Sequence, residues 1–132
     1  MNKKIKIIGL LLFLVSIFIY LDLFSSIVFP WQRKEAIETT LNWGGLAELP
    51  KEAEIVNVKK LGSAFTRTFI VEFKLNQSEI ENWIQKSKRL KNTEPKMWGQ
   101  TKTYEIHPGE NESLGGKVSV ENGKVTIRMS WS

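Results

Sequence analysis

The chain has 132 residues, of which 19 are basic, 14 acidic and one is histidine; it has no cysteine and a net charge of +5. The missing thiol excludes a disulfide scaffold, a cysteine nucleophile and a lipid-modified cysteine, and a lone imidazole cannot supply the usual zinc ligand sets. Beyond the first 29 residues, sixteen basic residues face thirteen glutamates, a mild excess that favours anionic partners without demanding them.

Lys3, Lys4 and Lys6 make residues 1–6 a basic tail, and an apolar run follows from Ile7 to Phe29, broken by Asp22 and closed by Pro30 and Trp31. A helix of that length spans about 35 Å, against a hydrocarbon core of about 30 Å. Residues 7–29 are therefore expected to form a single transmembrane anchor, with 30–132 as one domain behind it. The alternative is a cleaved secretory signal, which would release a soluble protein. The basic start and the uncharged stretch Ile7–Leu21 suit a signal, but Phe24 two residues before Ser26 suits a peptidase poorly, and Leu23 before Ser25 only passably. Asp22 lies toward the Trp31 end of the run, where it reads as an acid tilting to the interface or as a pairing site for a partner helix. The basic N-terminus favours a cytoplasmic start and an extracytoplasmic domain, the arrangement of a bacterial single-pass protein.

Pro30 should end or kink the first helix, and Ala36, Ile37, Thr40 and Leu41 recur at helical spacing within Trp31–Trp43. Gly44-Gly45 supplies a left-handed stop. Two strands are expected next, Glu54–Lys60 and Ala64–Leu75. The second carries Phe65, Phe69, Val71, Phe73 and Leu75 on one face. Arg67 interrupts that face, either as a sheet-end residue reaching water or as a buried anion ligand. Asn76 caps a second helix whose inner stripe is Ile80, Trp83, Ile84, Ser87 and Leu90, with acids at its start and bases at its end. A strand over Thr101–His107 and a loop from Pro108 to Gly116 lead to Lys117–Glu121 and Lys124–Trp131. Asn122-Gly123 between these two is a strong hairpin turn that sets Val120 against Val125 and Val118 against Ile127. Met129 and Trp131 should extend the buried face. The order α-β-β-α-β-β-β implies an α+β fold, with about five antiparallel strands and two helices packed on one face.

Candidate chemistry is sparse. Ser-His-Glu catalysis is arithmetically possible, but no nucleophile elbow supports it, and His107 before Pro108 reads as an exposed strand-end residue. Glutamate pairs of a glycosidase kind cannot be singled out among thirteen glutamates. No glycine pattern for phosphate binding occurs, and Glu110 and Glu112 lack the spacing of a calcium loop. No catalytic residue, metal or cofactor is therefore expected, and a small envelope hydrolase stands only as the alternative function. One constellation points to binding. Lys86, Lys88, Arg89, Lys91, Lys96 and Lys102 accompany a single acid, Glu94, around Met97 and Trp98. Basic residues with an interfacial indole suit an anionic surface. The expected function is a membrane-anchored extracytoplasmic binding module that contacts an envelope protein, an anionic polymer or the membrane surface. Nucleic acid is a poor partner for such a location.

Overall fold

The computed structural model describes residues 2–63 and 65–132. A long helix α1 (Lys3–Phe24) is followed by a 3-10 turn (Pro30–Gln32) and helix α2 (Arg33–Gly44). Strands β1 (Glu54–Gly62) and β2 (Arg67–Lys74), helices α3 (Gln77–Lys86) and α4 (Lys88–Lys91), and strands β3 (Lys96–Trp98), β4 (Thr101–Ile106), β5 (Gly115–Glu121) and β6 (Lys124–Trp131) complete the chain. All six strands form one antiparallel sheet in the order β1-β2-β6-β5-β4-β3. The fold is α+β, as its element pattern implies, with six strands where about five were expected. The added strand is β3, whose three residues lie between Pro95 and Gly99 and are too few for an alternation to be read.

α1 is long and apolar enough to cross a membrane, and it buries none of its side chains within the fold. It stops at Phe24, earlier than the apolar run does. The Ser25 hydroxyl and N–H both donate to the Leu21 carbonyl, at 2.6 and 3.2 Å, and Ser25 itself turns extended. A serine at a helix end competes for backbone partners in this way. Beyond it the chain lies along the outer edge of β1: the Lys60 N–H donates to the Ser26 carbonyl, and Ile27 bridges Lys59. The last apolar residues thus cover a sheet edge instead of lengthening the helix.

The core lies between one face of the sheet and the helices. Asn122 and Gly123 hold positive φ angles of 47° and 75°, the combination of a tight two-residue hairpin turn. The expected register follows, Val120 opposite Val125 and Val118 opposite Ile127. These four residues pack with Val71, Phe73, Ile106 and Met129 against Ile80, Trp83 and Leu90, all of them buried. Trp83 meets Phe73 edge-on at 5.5 Å, and Trp43 of α2 tilts over Phe69 at 5.5 Å, so both main helices cover the same sheet face.

Three expected details differ. Phe65 is 83% exposed, because the turn between β1 and β2 uses Gly62 at φ 102° and a Ser63–Thr66 hydrogen bond, which delays the strand to Arg67. Ala64, the expected first strand residue, lies outside the described residues, as does Met1 of the basic tail. Trp131 is 40% exposed at the end of β6 instead of being buried. The second helix breaks at Ser87, whose hydroxyl donates to the Trp83 carbonyl and accepts the Ala47 N–H. Leu90 still reaches the core from the short α4.

β5 and β6 approach most closely at Gly116, where a Cβ would overlap the carbonyl oxygen of Arg128. Gly116→Ala is therefore expected to lower unfolding stability by about 1–3 kcal/mol through overpacking. Gly9→Ala, with nothing near its Cβ position, should leave domain stability unchanged. Thermal unfolding of the full-length chain in detergent checks both.

Candidate functional site

The alternation that builds the core continues past it and ends in two cations. On the covered face of the sheet Lys60 stands opposite Phe69, and Arg67 stands between Gly62 of β1 and Trp131 of β6. Apolar neighbours give way to charge where α1 joins the domain. Lys60 is among the most enclosed ionisable groups, with a side chain only 5% exposed, and its Nζ donates to Asp22 Oδ1 at 2.8 Å. The ammonium also lies 5.9 Å from the centroid of the Phe29 ring, a favourable cation–π placement.

Asp22 therefore has a partner within its own chain. Gln32 Nε2 donates to the same Oδ1 at 2.6 Å, while Gln32 Oε1 accepts the Phe29 N–H. This corrects both sequence-based readings of Asp22, as an unpaired interfacial acid and as a site for a partner helix. The 3-10 turn at Pro30 brings Gln32 back alongside the helix end, and β1 delivers Lys60 from 38 residues away. The same reversal stacks Phe29 on Phe18 at 4.9 Å and Trp31 on Phe29 at 4.8 Å, with all three rings nearly parallel.

Beside this pair is a cavity of about 300 Å³, walled by Trp43, Phe69 and Trp131 and edged by Asp22, Lys60 and Arg67. Arg67 is partly buried, and its Nη1 has neither solvent nor a hydrogen-bond partner. Among the described residues Arg67 forms no ion pair. The head of Arg67 does not extend freely into water, the simpler of the two sequence expectations.

The basic constellation lies elsewhere and is divided by the fold. Arg89 is engaged internally: Nη1 pairs with Glu110 at 2.9 Å and Nη2 donates to the Pro108 carbonyl at 2.7 Å, which ties α4 to the β4–β5 loop. Lys96 faces Glu105 at 3.3 Å. Lys86, Lys88, Lys91 and Lys102 are exposed and form no ion pair among the described residues. Met97 and Trp98 are 55% and 71% exposed on the edge strand β3. By the alternation of the β3–β4 pair, Trp98 and Lys96 share the open side of the sheet, and Met97 and Lys102 the helix side. Lys102 edges a shallow groove with Glu81, Gln85 and Tyr104; burial pushes the Tyr104 phenol above its ordinary range.

A small cleft on the open face contains Glu105, His107 and Ser130. No relay connects them. His107 Nδ1 lies against the Leu114 carbonyl at 3.3 Å, Ser130 shares a hydrogen bond with Thr68 at 2.8 Å, and Glu105 pairs with Lys96. Among the described residues no three His, Cys, Asp or Glu side chains converge as a metal site requires.

No sequence-family model matches the chain, and no curated protein or solved structure is significantly similar to it. Its chemistry is therefore read from its own residues.

The junction is testable by a double-mutant cycle. Asp22→Asn leaves the Lys60 ammonium enclosed without its counter-charge and is expected to cost about 1–3 kcal/mol, the loss typical of an orphaned charged group. Adding Lys60→Met removes the orphan and should recover most of that stability, since an apolar residue of similar reach replaces a buried ion without penalty. Melting temperatures of the full-length variants in detergent measure the coupling, and additive effects would show that the pair contributes nothing.

Proposed function

We propose that this chain is a membrane-tethered binding module of the cell envelope, with a cytoplasmic N-terminus and its domain (30–132) outside. It presents the β3–β4 hairpin and the lysines beside it to an anionic polymer. The observation that carries this reading is the exposure of Trp98 and Met97 next to Lys86, Lys88, Lys91 and Lys102. Large apolar side chains exposed together on an edge strand leave both an apolar surface and free backbone groups available for contact.

Position favours a polymer over the anchoring bilayer itself. β3 is at the opposite edge of the sheet from β1, which contacts α1. Five strand spacings of ~4.8 Å separate them by about 24 Å. Trp98 pairs with Thr101 at the start of β4, whereas the Arg67 end of the sheet corresponds to the end of that strand. The indole therefore occupies the corner diagonal to the helix junction. Lysines at that corner act on a polyanion mainly by releasing its counterions, so affinity should fall steeply with salt. The indole and thioether add apolar contact that salt does not weaken.

Two measurements test the proposal. The full-length chain in nanodiscs of neutral phosphatidylcholine should bind polyphosphate, the probe polyanion, with a dissociation constant that rises with ionic strength. Lys88→Glu with Lys91→Glu should weaken binding by about tenfold or more, or ~1.4 kcal/mol, and Trp98→Ala by several-fold at high salt, where its share is largest. Equal binding by all variants removes the hairpin and its lysines as the contact surface. For orientation, Ser132→Cys introduces a single thiol into a chain without cysteine. It should react with a membrane-impermeant maleimide in intact cells, and protection until lysis would refute an extracytoplasmic domain.

A further inference from the structure

The cavity at the helix junction plays no part in the polymer contact, and its chemistry is different. We propose that it binds the oxyanion head of an anionic phospholipid, with Arg67 as the principal ligand.

Three observations on the page lead to this assignment. The first is an unmet demand for an acceptor. Arg67 Nη1 is closed to solvent and unpartnered, and a guanidinium nitrogen in that state is costly until an acceptor reaches it. Lys60 does not compete for that acceptor, because it already donates to Asp22, and Asp22 is occupied by Lys60 and Gln32. Around the cavity, two cations therefore share one engaged carboxylate, and the other acid in its lining, Glu35, is exposed. A single added negative charge balances the enclosed groups. The planar fork of arginine matches the oxygens of a phosphodiester.

The second observation is the lining. Trp43, Phe69 and Trp131 give the cavity apolar walls, and Thr39 adds a hydroxyl. A volume of about 300 Å³ is at the small end of ligand pockets. It accommodates a phosphate head and the glycerol carbons behind it, but not a whole lipid. The third is position. Asp22 in the wall belongs to the last turns of α1, and Phe18, Phe29 and Trp31 form an aromatic stack beside it. Aromatic residues collect where hydrocarbon meets headgroups. With α1 in the bilayer, the cavity opens at the level where lipid phosphates lie, and the ligand needs no path through water.

The shared chemistry is a phosphate oxyanion, and its source separates the arms of the test. The full-length chain is loaded from mixed phosphatidylglycerol and phosphatidylcholine vesicles into neutral detergent and examined by native mass spectrometry. One phosphatidylglycerol per chain should be retained, exceeding phosphatidylcholine by about tenfold, the worth of a charge-assisted hydrogen bond. Glycerol phosphate added in solution should leave that adduct in place. Arg67→Gln should reduce the adduct by a similar factor, whereas Lys3→Gln with Lys4→Gln, which remove charge at the other end of α1, should not. Thr39→Phe, which fills the cavity from α2 and keeps every charge, should also abolish it, and this variant decides the matter if Arg67→Gln does not fold. Equal retention of the two lipids, displacement by glycerol phosphate, or an adduct unchanged in Thr39→Phe would each overturn the proposal.

Discussion

An enclosed ammonium meeting a carboxylate is the contact on which the arrangement of this protein depends. α1 buries nothing in the fold, so no hydrophobic packing fixes it to the domain. The Lys60–Asp22 pair, supported by Gln32 and the Ser26–Lys60 backbone bond, makes the connection. It also accounts for an acid placed inside an otherwise apolar run. A carboxylate at a membrane edge is tolerable when its charge is compensated and its oxygens accept hydrogen bonds. The pair further divides the apolar run into two functions. Ile7 to Leu21 remain uncharged, a stretch of about 22 Å as a helix, which is short for a hydrocarbon core of about 30 Å. Such a short span is accommodated when Lys3, Lys4 and Lys6 snorkel at one end and the base of the domain is drawn toward the interface at the other.

The sheet gives the molecule two chemically distinct corners from one repeating pattern. Its covered face runs apolar through the centre and then ends in Lys60 and Arg67 near the helix. Its far edge carries Trp98 and Met97 among lysines. Between them lies a well-filled core whose neighbouring elements are joined by specific bonds. Trp83 Nε1 donates to the Ala47 carbonyl, and the Ser87 hydroxyl accepts the Ala47 N–H. A rigid sheet of this kind keeps the two corners apart, so that a ligand at one need not interfere with a ligand at the other.

Much of the scaffold was legible in the sequence because it depends on local rules. The Asn122-Gly123 turn dictated its own register, since only that residue pair takes two positive φ angles cheaply. The Asn76 cap and the Ile80, Trp83, Ile84 stripe follow from helical spacing alone. Misplaced boundaries arose where a polar side chain or an edge competed with periodicity. Ser25 ended α1 early, Ser87 split the second helix, and the Gly62–Thr66 turn removed Phe65 from its strand. β3 escaped notice because three residues carry no measurable alternation. In the basic constellation, composition could count charges but not show which were already engaged. Arg89 bonds to Glu110 and Pro108, and Lys96 to Glu105, contacts made across 21, 19 and 9 residues respectively.

By itself the sequence determined the apolar leader, the α+β class, the central hairpin register and the chemistry that the chain lacks. These follow from residue type, local backbone preference and spacing, which act within a few residues. Only the tertiary structure decided that Asp22 belongs to Lys60, that Arg67 is left with an unpartnered nitrogen beside an aromatic cavity, and that Trp98 occupies the opposite corner. Those outcomes depend on strand order and on where a chain reversal brings distant charges together. Burial then sets their energetic weight, because a charge removed from water must find its partner in whatever residues the fold places beside it.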